Sequence, residues 1–248
     1  MATVLITGAN RGLGLEFARQ FSVQGWHVHA CCRSPDQAGE LAELANAAAD
    51  RFTVHALDID DFSTVDALAS RLGGVPVDLL INNAGILDNR PVSFSEGARS
   101  SLQALGAIDY EGWGQVFHVN VIGPMRVTEA LLSNVLASTV KKIVMISSIM
   151  GSITASDPDA FPPGGGVYIY RTTKAALNMI ARNLAADLKA RGVIVLSVNP
   201  GWVKTEMGGE DGMFTPETSV ANMIKAIEAS DLASTGSFIS HDGTRLPW

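Results

Sequence analysis

The stretch "TVLITGANRGLGLEFARQFSVQG" (residues 3–25) decides the fold. Its first residues, "TVLITG" (3–8), are apolar without alternation, the pattern of a strand buried on both faces. "LGLEFARQFSVQG" (13–25) then carries apolar residues at helical spacing and closes on a glycine. Between them lies "TGANRGLG" (7–14). Gly8 can make the tight turn, Gly12 can let backbone approach a pyrophosphate, and Gly14 can admit close helix packing. A helix starting here presents unpaired N–H groups to anionic oxygens. The spacing Gly-x-x-x-Gly-x-Gly differs from the usual dinucleotide fingerprint, but strand, turn and helix supply the same physics.

The next strand refines the reading. "HVHACC" (27–32) ends where dinucleotide folds place an acid for the adenosine ribose hydroxyls. Here that position is Cys32, and Arg33 follows. Arg11, inside the glycine turn, brings a second guanidinium. Two such groups favour a 2′-phosphate, hence NADP(H) over NAD(H), because guanidinium binds phosphate bidentately.

The alternation continues along the chain. An Ala/Leu-rich helix is expected near 36–49, a strand at "FTVHALDI" (52–59), a helix over 61–72 and a strand in "VDLLINNAG" (77–85). A long helical region precedes "KKIVMISS" (141–148). The helix "YIYRTTKAALNMIARNLAADL" (168–188), the strand "VIVLSVNPG" (193–201), a helix near 216–229 and a short strand "GSFIS" (236–240) follow. Seven strands apolar on both faces, alternating with helices, predict a single doubly wound α/β domain over 1–248, with a mainly parallel sheet. Nothing resembles an interdomain linker. Loops are expected at about 87–106, 151–167 and 206–215.

Composition narrows the partners. The formal charge is −7 with no Lys/Arg cluster, which argues against nucleic acid or an anionic membrane surface. No apolar run approaches the ~20 residues that span a bilayer, and the start lacks a signal-peptide pattern. The reading is a cytoplasmic protein. Cys31 and Cys32 are adjacent in a strand and point to opposite faces, so they read as two reduced, buried thiols. Among the five histidines only His27 and His29 share a strand face, with no further ligand evident, so no metal site is expected.

Tyr170 and Lys174 are four apart on a helix and can point into one site. A free phenol titrates near 10. A nearby ammonium favours the phenolate, so Lys174 is expected to bring Tyr170 toward working pH.

With these residues placed, the chain resembles the short-chain dehydrogenase/reductase family over nearly its whole length. The likeness rests on "TGANRGLG", "NNAG" (82–85), Asn120 in "FHVNVIGP", "ISS" (146–148), "YRTTK" (170–174) and "NPGWVKT" (199–205). Within the family, "SSIMGSI" and "YRTTKAALN" are similar to the C-factor and sniffer-type carbonyl reductases.

The resemblance implies a Rossmann fold and a catalytic set of Ser148, Tyr170 and Lys174, with Asn120 completing it. Tyr170 would be the general acid/base, and Lys174 would also bond the nicotinamide ribose. Ser148 would hold the substrate oxygen, and Asn120 a water, where a helix is locally broken. The cofactor positions implied are Gly8, Asn10, Arg11, Gly12, Leu13, Gly14, Arg33, Asp58, Ile59, Asn83, Ala84, Gly85, Pro200, Val203 and Thr205, with Tyr170 and Lys174. Asp58 would meet the adenine amino group, and Val203 and Thr205 the carboxamide. Ser148 and Tyr170 stand 22 positions apart, more than is usual in the family, and loop 151–167 absorbs the difference.

The activity this implies is NADP(H)-dependent hydride transfer between nicotinamide and a small carbonyl or alcohol. The alternative is an NADP(H)-binding redox sensor or signalling protein of C-factor type. Family members usually form homodimers or homotetramers; Trp113, Phe117 and the methionine of helix 174–184 read as core or subunit contacts, and "HDGTRLPW" as a possible cap on a neighbour. Trp202 and Phe161 are candidates for the substrate cavity, and Asp157 and Asp159 read as solvated loop acids.

Overall fold

The computed structural model describes residues 1–89, 103–157 and 166–248. One sheet contains β1 (Thr3–Thr7), β2 (His27–Cys32), β3 (Phe52–Ala56), β4 (Leu79–Asn82), β5 (Lys142–Ile146), β6 (Ile194–Asn199) and β7 (Ser237–Ser240). Their order is β3-β2-β1-β4-β5-β6-β7, and each pairing is parallel. The helices described are α1 (Gly12–Val23), α2 (Gly39–Ala48), α3 (Phe62–Leu72), α4 (Tyr110–Phe117), α5 (Gly123–Ala130), α6 (Leu132–Ala137), α7 (Tyr168–Leu188) and α8 (Pro216–Ala229). The expected doubly wound fold is the one observed, and even the last strand is parallel.

The continuous apolar strands follow from helices on both faces. Along β1, Val4 and Ile6 join one cluster with Phe17, Phe21 and Ile224. Leu5, between them, joins the opposite cluster with Leu80, Val127 and Leu177. Each such buried side chain contributes roughly 1.5–3 kcal/mol. Cys31 and Cys32 divide in the same way between the two faces, and both are free and buried.

The strand order reverses beside β1, whose neighbours are β2 and β4. In such sheets the crevice at the carboxyl ends of the strands, at the reversal, is where ligands bind. Gly8 follows β1, Arg33 follows β2, Asn83 follows β4 and Pro200 follows β6. Asp58 and Ser148 come two residues after β3 and β5.

The long helical region before β5 is interrupted at Asn120, where a break was expected: α4 runs into a π-helical turn at His118–Ile122, then α5 and α6. The Nδ1 of His29 lies 2.9 Å from Nε2 of His55 on β3. Parallel pairing sets Cys31 opposite His55, so His29, two residues away, shares that face. The terminal "HDGTRLPW" packs against its own chain through Trp248. Trp248 stacks on Phe238 and lies under Arg182, and its carbonyl accepts from Thr154 N at 2.8 Å. Among the described residues no helix is long and apolar enough to cross a membrane.

Candidate active site

Four side chains meet where β4 and β5 end. Tyr170 and Lys174 lie one turn apart on α7, both buried. The Tyr170 hydroxyl is hydrogen-bonded to the Ser148 side chain. Lys174 Nζ donates to the carbonyl of Ile146 at 2.9 Å and stands 5.5 Å from the centre of the Tyr170 ring. The neighbouring Ser147 faces elsewhere and bonds Asn178 Oδ1 at 2.6 Å. The structure thereby separates two serines that strand alternation leaves equivalent.

Asn120 sits in the π turn with no exposed surface. A π turn adds one residue to the helical repeat and so turns an extra side chain inward. Its Oδ1 accepts from Ile86 N at 2.8 Å, and its Nδ2 donates to Ile86 O at 2.8 Å and to Thr173 Oγ1 at 3.1 Å. Gly85 occupies the gap beside it: a Cβ there would lie 3.1 Å from Asn120 Oδ1 and 3.6 Å from Lys174 Nζ.

The electrostatics correct one expectation. Burial raises the Tyr170 phenol above its ordinary range, against the smaller lowering from the Ser148 hydrogen bond. Burial also pulls Lys174 down to about 8. The expectation is that Lys174 lowers Tyr170, but in the protein alone burial raises the phenol and the only opposing cause is the Ser148 hydrogen bond. The ammonium is directed at the Ile146 carbonyl and lies over the ring, not against the hydroxyl.

The glycine turn is fastened to the end of β4. Thr7 Oγ1 accepts from Asn83 N and Ala84 N, both at 3.0 Å, and Asn83 Nδ2 donates to Thr7 O at 2.9 Å and Gly8 O at 3.1 Å. Gly8, at φ +63°, could not carry a Cβ, which would stand 2.9 Å from the Ala84 Cα. A Cβ on Gly14 would fall 2.1 Å from Gly8 O. No side chain caps the start of α1, where Arg11 is the N-cap residue. Uncapped N–H groups beside a turn that lacks a Cβ at Gly8, Gly12 and Gly14 fit a pyrophosphate. Asn10 is exposed and Leu13 half-buried on this turn.

The other candidates surround it. Arg33 is exposed past β2. Asp58 Oδ1 accepts from Asp60 N at 3.1 Å, while Ile59 is buried against Gly123. Pro200 O accepts from Ser219, Val203 is buried, and Thr205 Oγ1 accepts from Gly208 N at 3.1 Å. The Thr205 methyl lies 3.6 Å from where a Cβ on Gly12 would be. Arg11 is ion-paired with Glu206, so the glycine turn and the segment after β6 are bridged directly.

A family model described as "short chain dehydrogenase" matches residues 2–213. The chain belongs to the short-chain dehydrogenase family. It is 36% identical to the C-signal of Myxococcus xanthus over 183 residues, which cover 73% of this chain and 99% of that protein. The solved structure of the carbonyl reductase Sniffer of D. melanogaster matches over 100% of both chains, with TM-score 0.85 and 28% identity. An NADPH-bound carbonyl reductase from chicken fatty liver matches over 100% of this chain and 94% of its own, with TM-score 0.84 and 30% identity.

In this short-chain dehydrogenase several site residues had no sequence signal. Glu206 is one. Asn199, whose Oδ1 accepts from Ile149 N at 3.0 Å and so holds the backbone next to Ser148, is another. Gln103 is a third. Trp202 proves to brace the loop after β6, donating from Nε1 to Gly208 O at 2.7 Å. Trp113 is half-buried, whereas Phe117 and Met179 are exposed and so lie outside the core. Asp157 is exposed, as expected. Asp159, Phe161, residues 90–102 of the loop 87–106 and residues 158–165 of the loop 151–167 lie outside the described residues.

Proposed function

We propose that this chain is an NADP(H)-dependent carbonyl reductase or alcohol dehydrogenase, with Tyr170 as its general acid/base. The observation that carries the reading is the convergence of the Ser148–Tyr170 hydrogen bond with buried Lys174 at the carboxyl edge of the sheet. In the reductive direction a bound NADPH supplies hydride to the carbonyl carbon. Tyr170 transfers its hydroxyl proton to the carbonyl oxygen, and Ser148 donates a hydrogen bond to that oxygen as negative charge develops. A phenol held protonated by burial is in the right state for this step.

Lys174 then returns a proton toward Tyr170 and holds the nicotinamide ribose. Asn120 has one Oδ1 lone pair beyond its bond from Ile86 N, and a water accepted there would link Lys174 to solvent. The turn from Gly8 through Asn10, Arg11, Gly12 and Leu13 to Gly14 holds the pyrophosphate, with Asn83, Ala84 and Gly85 beside the adenosine ribose. Asp58 and Ile59 flank the adenine, and Pro200, Val203 and Thr205 hold the carboxamide. Arg11 and Arg33 select the 2′-phosphate. The NADPH bound in the chicken reductase structure supports this choice of cofactor.

The reading extends to the whole chain acting as one catalytic unit, with its substrate a small carbonyl or alcohol held under the loops 87–106, 151–167 and 206–215. It places the protein in the cytoplasm as a homodimer or homotetramer. A sensing or signalling role is the second reading, supported by the likeness to the C-signal. Absorbance-monitored oxidation of NADPH and NADH, with a panel of aldehydes, ketones and quinones, tests the first. Turnover faster with NADPH is expected. Tight NADPH binding with no turnover of any compound would move the weight to the second reading.

A further inference from the structure

We infer that Gln103 is the positioning residue for Tyr170: it supplies the cap that α7 lacks and ties that helix to the chain leaving β4. The inference deepens the proposed reductase reading and rests on it for the role of Tyr170. The first turn of a helix leaves its N–H groups without helical partners. At α7 the N-cap residue is Val167, which offers no side-chain bond. Val167 is also fully buried and held at φ +52°, ψ +39°, a conformation that costs a β-branched residue about 1–3 kcal/mol. Such a helix start needs outside support.

Gln103 provides it from 67 positions away. Its backbone carbonyl accepts from Tyr168 N at 3.1 Å, and its Oε1 accepts from Tyr170 N at 2.9 Å. Its Nε2 donates to Leu87 O at 2.7 Å and to Asp88 Oδ2 at 3.2 Å. The orientation of the amide is fixed by its partners, because a backbone N–H needs an acceptor and a backbone C=O needs a donor. Gln103 has no exposed surface, so water cannot replace these bonds. Leu87 lies one residue past Ile86, which Asn120 grips from both sides. One buried amide therefore sets the first turn bearing Tyr170 against the segment that carries Gly85 and faces Asn120.

A shift of about 1 Å at a reacting group can lower a rate about 10²-fold. Gln103→Leu keeps about the same size but removes the side-chain bonds to Tyr170 N, Leu87 O and Asp88, leaving only the backbone bond to Tyr168 N. Its kcat for the best carbonyl found is expected to fall about 10–100-fold, with NADPH affinity within about threefold of wild type. A folded Gln103→Leu with wild-type kcat would overturn the inference. Gln103→Glu gives the sharper test. Its carboxylate still accepts from Tyr170 N but repels Leu87 O and Asp88, whereas its protonated form restores the donor. Its kcat relative to wild type should therefore recover as pH falls, while that of Gln103→Leu stays flat; a Glu variant with a wild-type pH profile contradicts the proposal.

Amide exchange over residues 168–174 separates this claim from the reductase reading. Faster exchange there in either variant supports the cap even if no carbonyl is turned over. Unchanged exchange refutes it whatever the activity.

Discussion

Lys174 Nζ and the carbonyl oxygen of Ile146 are 2.9 Å apart, joining α7 to the carboxyl end of β5 inside a buried site. The lysine is held there against its own solvation, and burial has pulled it down to about 8. A group whose folded pKa lies below its unfolded value binds fewer protons when folded. Stability should therefore rise with pH between about 8 and 10.5, and the full cost should be present below 8. Lys174→Met is expected to be more stable than wild type at pH 7 by about 1–3 kcal/mol, after allowing for the lost bond to Ile146. It should also lose turnover. Denaturant unfolding checks the first outcome, and a less stable variant would show that the lysine is structural.

Gly14 has no room for a methyl group, since a Cβ would stand 2.1 Å from Gly8 O. Gly14→Ala must push α1 off the turn. We expect a loss of about 3 kcal/mol or more, visible as a lowered melting temperature, together with weakened NADPH binding. An alanine variant melting with the wild type would mean that α1 does not pack against β1 as described.

Arg11 and Arg33 should act on cofactor choice and not on chemistry. Each charge-assisted bond to a 2′-phosphate contributes about 1.5–3 kcal/mol. Arg11→Ala and Arg33→Ala are therefore expected to lower the NADPH-to-NADH ratio of kcat/KM about 10–100-fold, with little change for NADH. Arg11 must first leave Glu206, so Glu206→Gln should tighten NADPH in a titration. Unchanged ratios in both alanine variants would put the phosphate elsewhere.

His29 and His55 predict an acid limit to stability. Burial is the main cause lowering both, His55 to about 4, with His27 adding to the first and His29 and Arg71 to the second. The unfolded chain binds protons at these histidines near 6.5 and the folded chain does not. Stability should be constant above that pH and fall as pH drops from 6.5 toward 4. The expected loss is about 2 kcal/mol, and His55→Phe should remove much of it. A wild type equally stable at pH 5 and pH 7 would rule this out.

The strands were legible because each is apolar on both faces, as a covered parallel sheet requires. Tyr170 and Lys174 were legible because four residues make one helical turn, and the glycine turn because it stood between a strand and a helix. What stayed hidden depends on contacts distant in sequence. Nothing around Asn120 signals an added residue in the helical repeat. Gln103 is an ordinary loop glutamine until α7 is placed on it. The His29–His55 pair needs the register of β2 on β3. The direction of the Tyr170 shift was misjudged because a sequence displays the neighbouring ammonium but not the depth of burial.

The central claim is that Tyr170 delivers the proton while the rest of the site holds the cofactor. The most direct test measures NADPH-dependent carbonyl reduction and NADPH binding together in wild type and Tyr170→Phe. The account predicts a fall in kcat of about 10³-fold or more, with the dissociation constant for NADPH changed less than about threefold. A phenylalanine variant that keeps its turnover would contradict it.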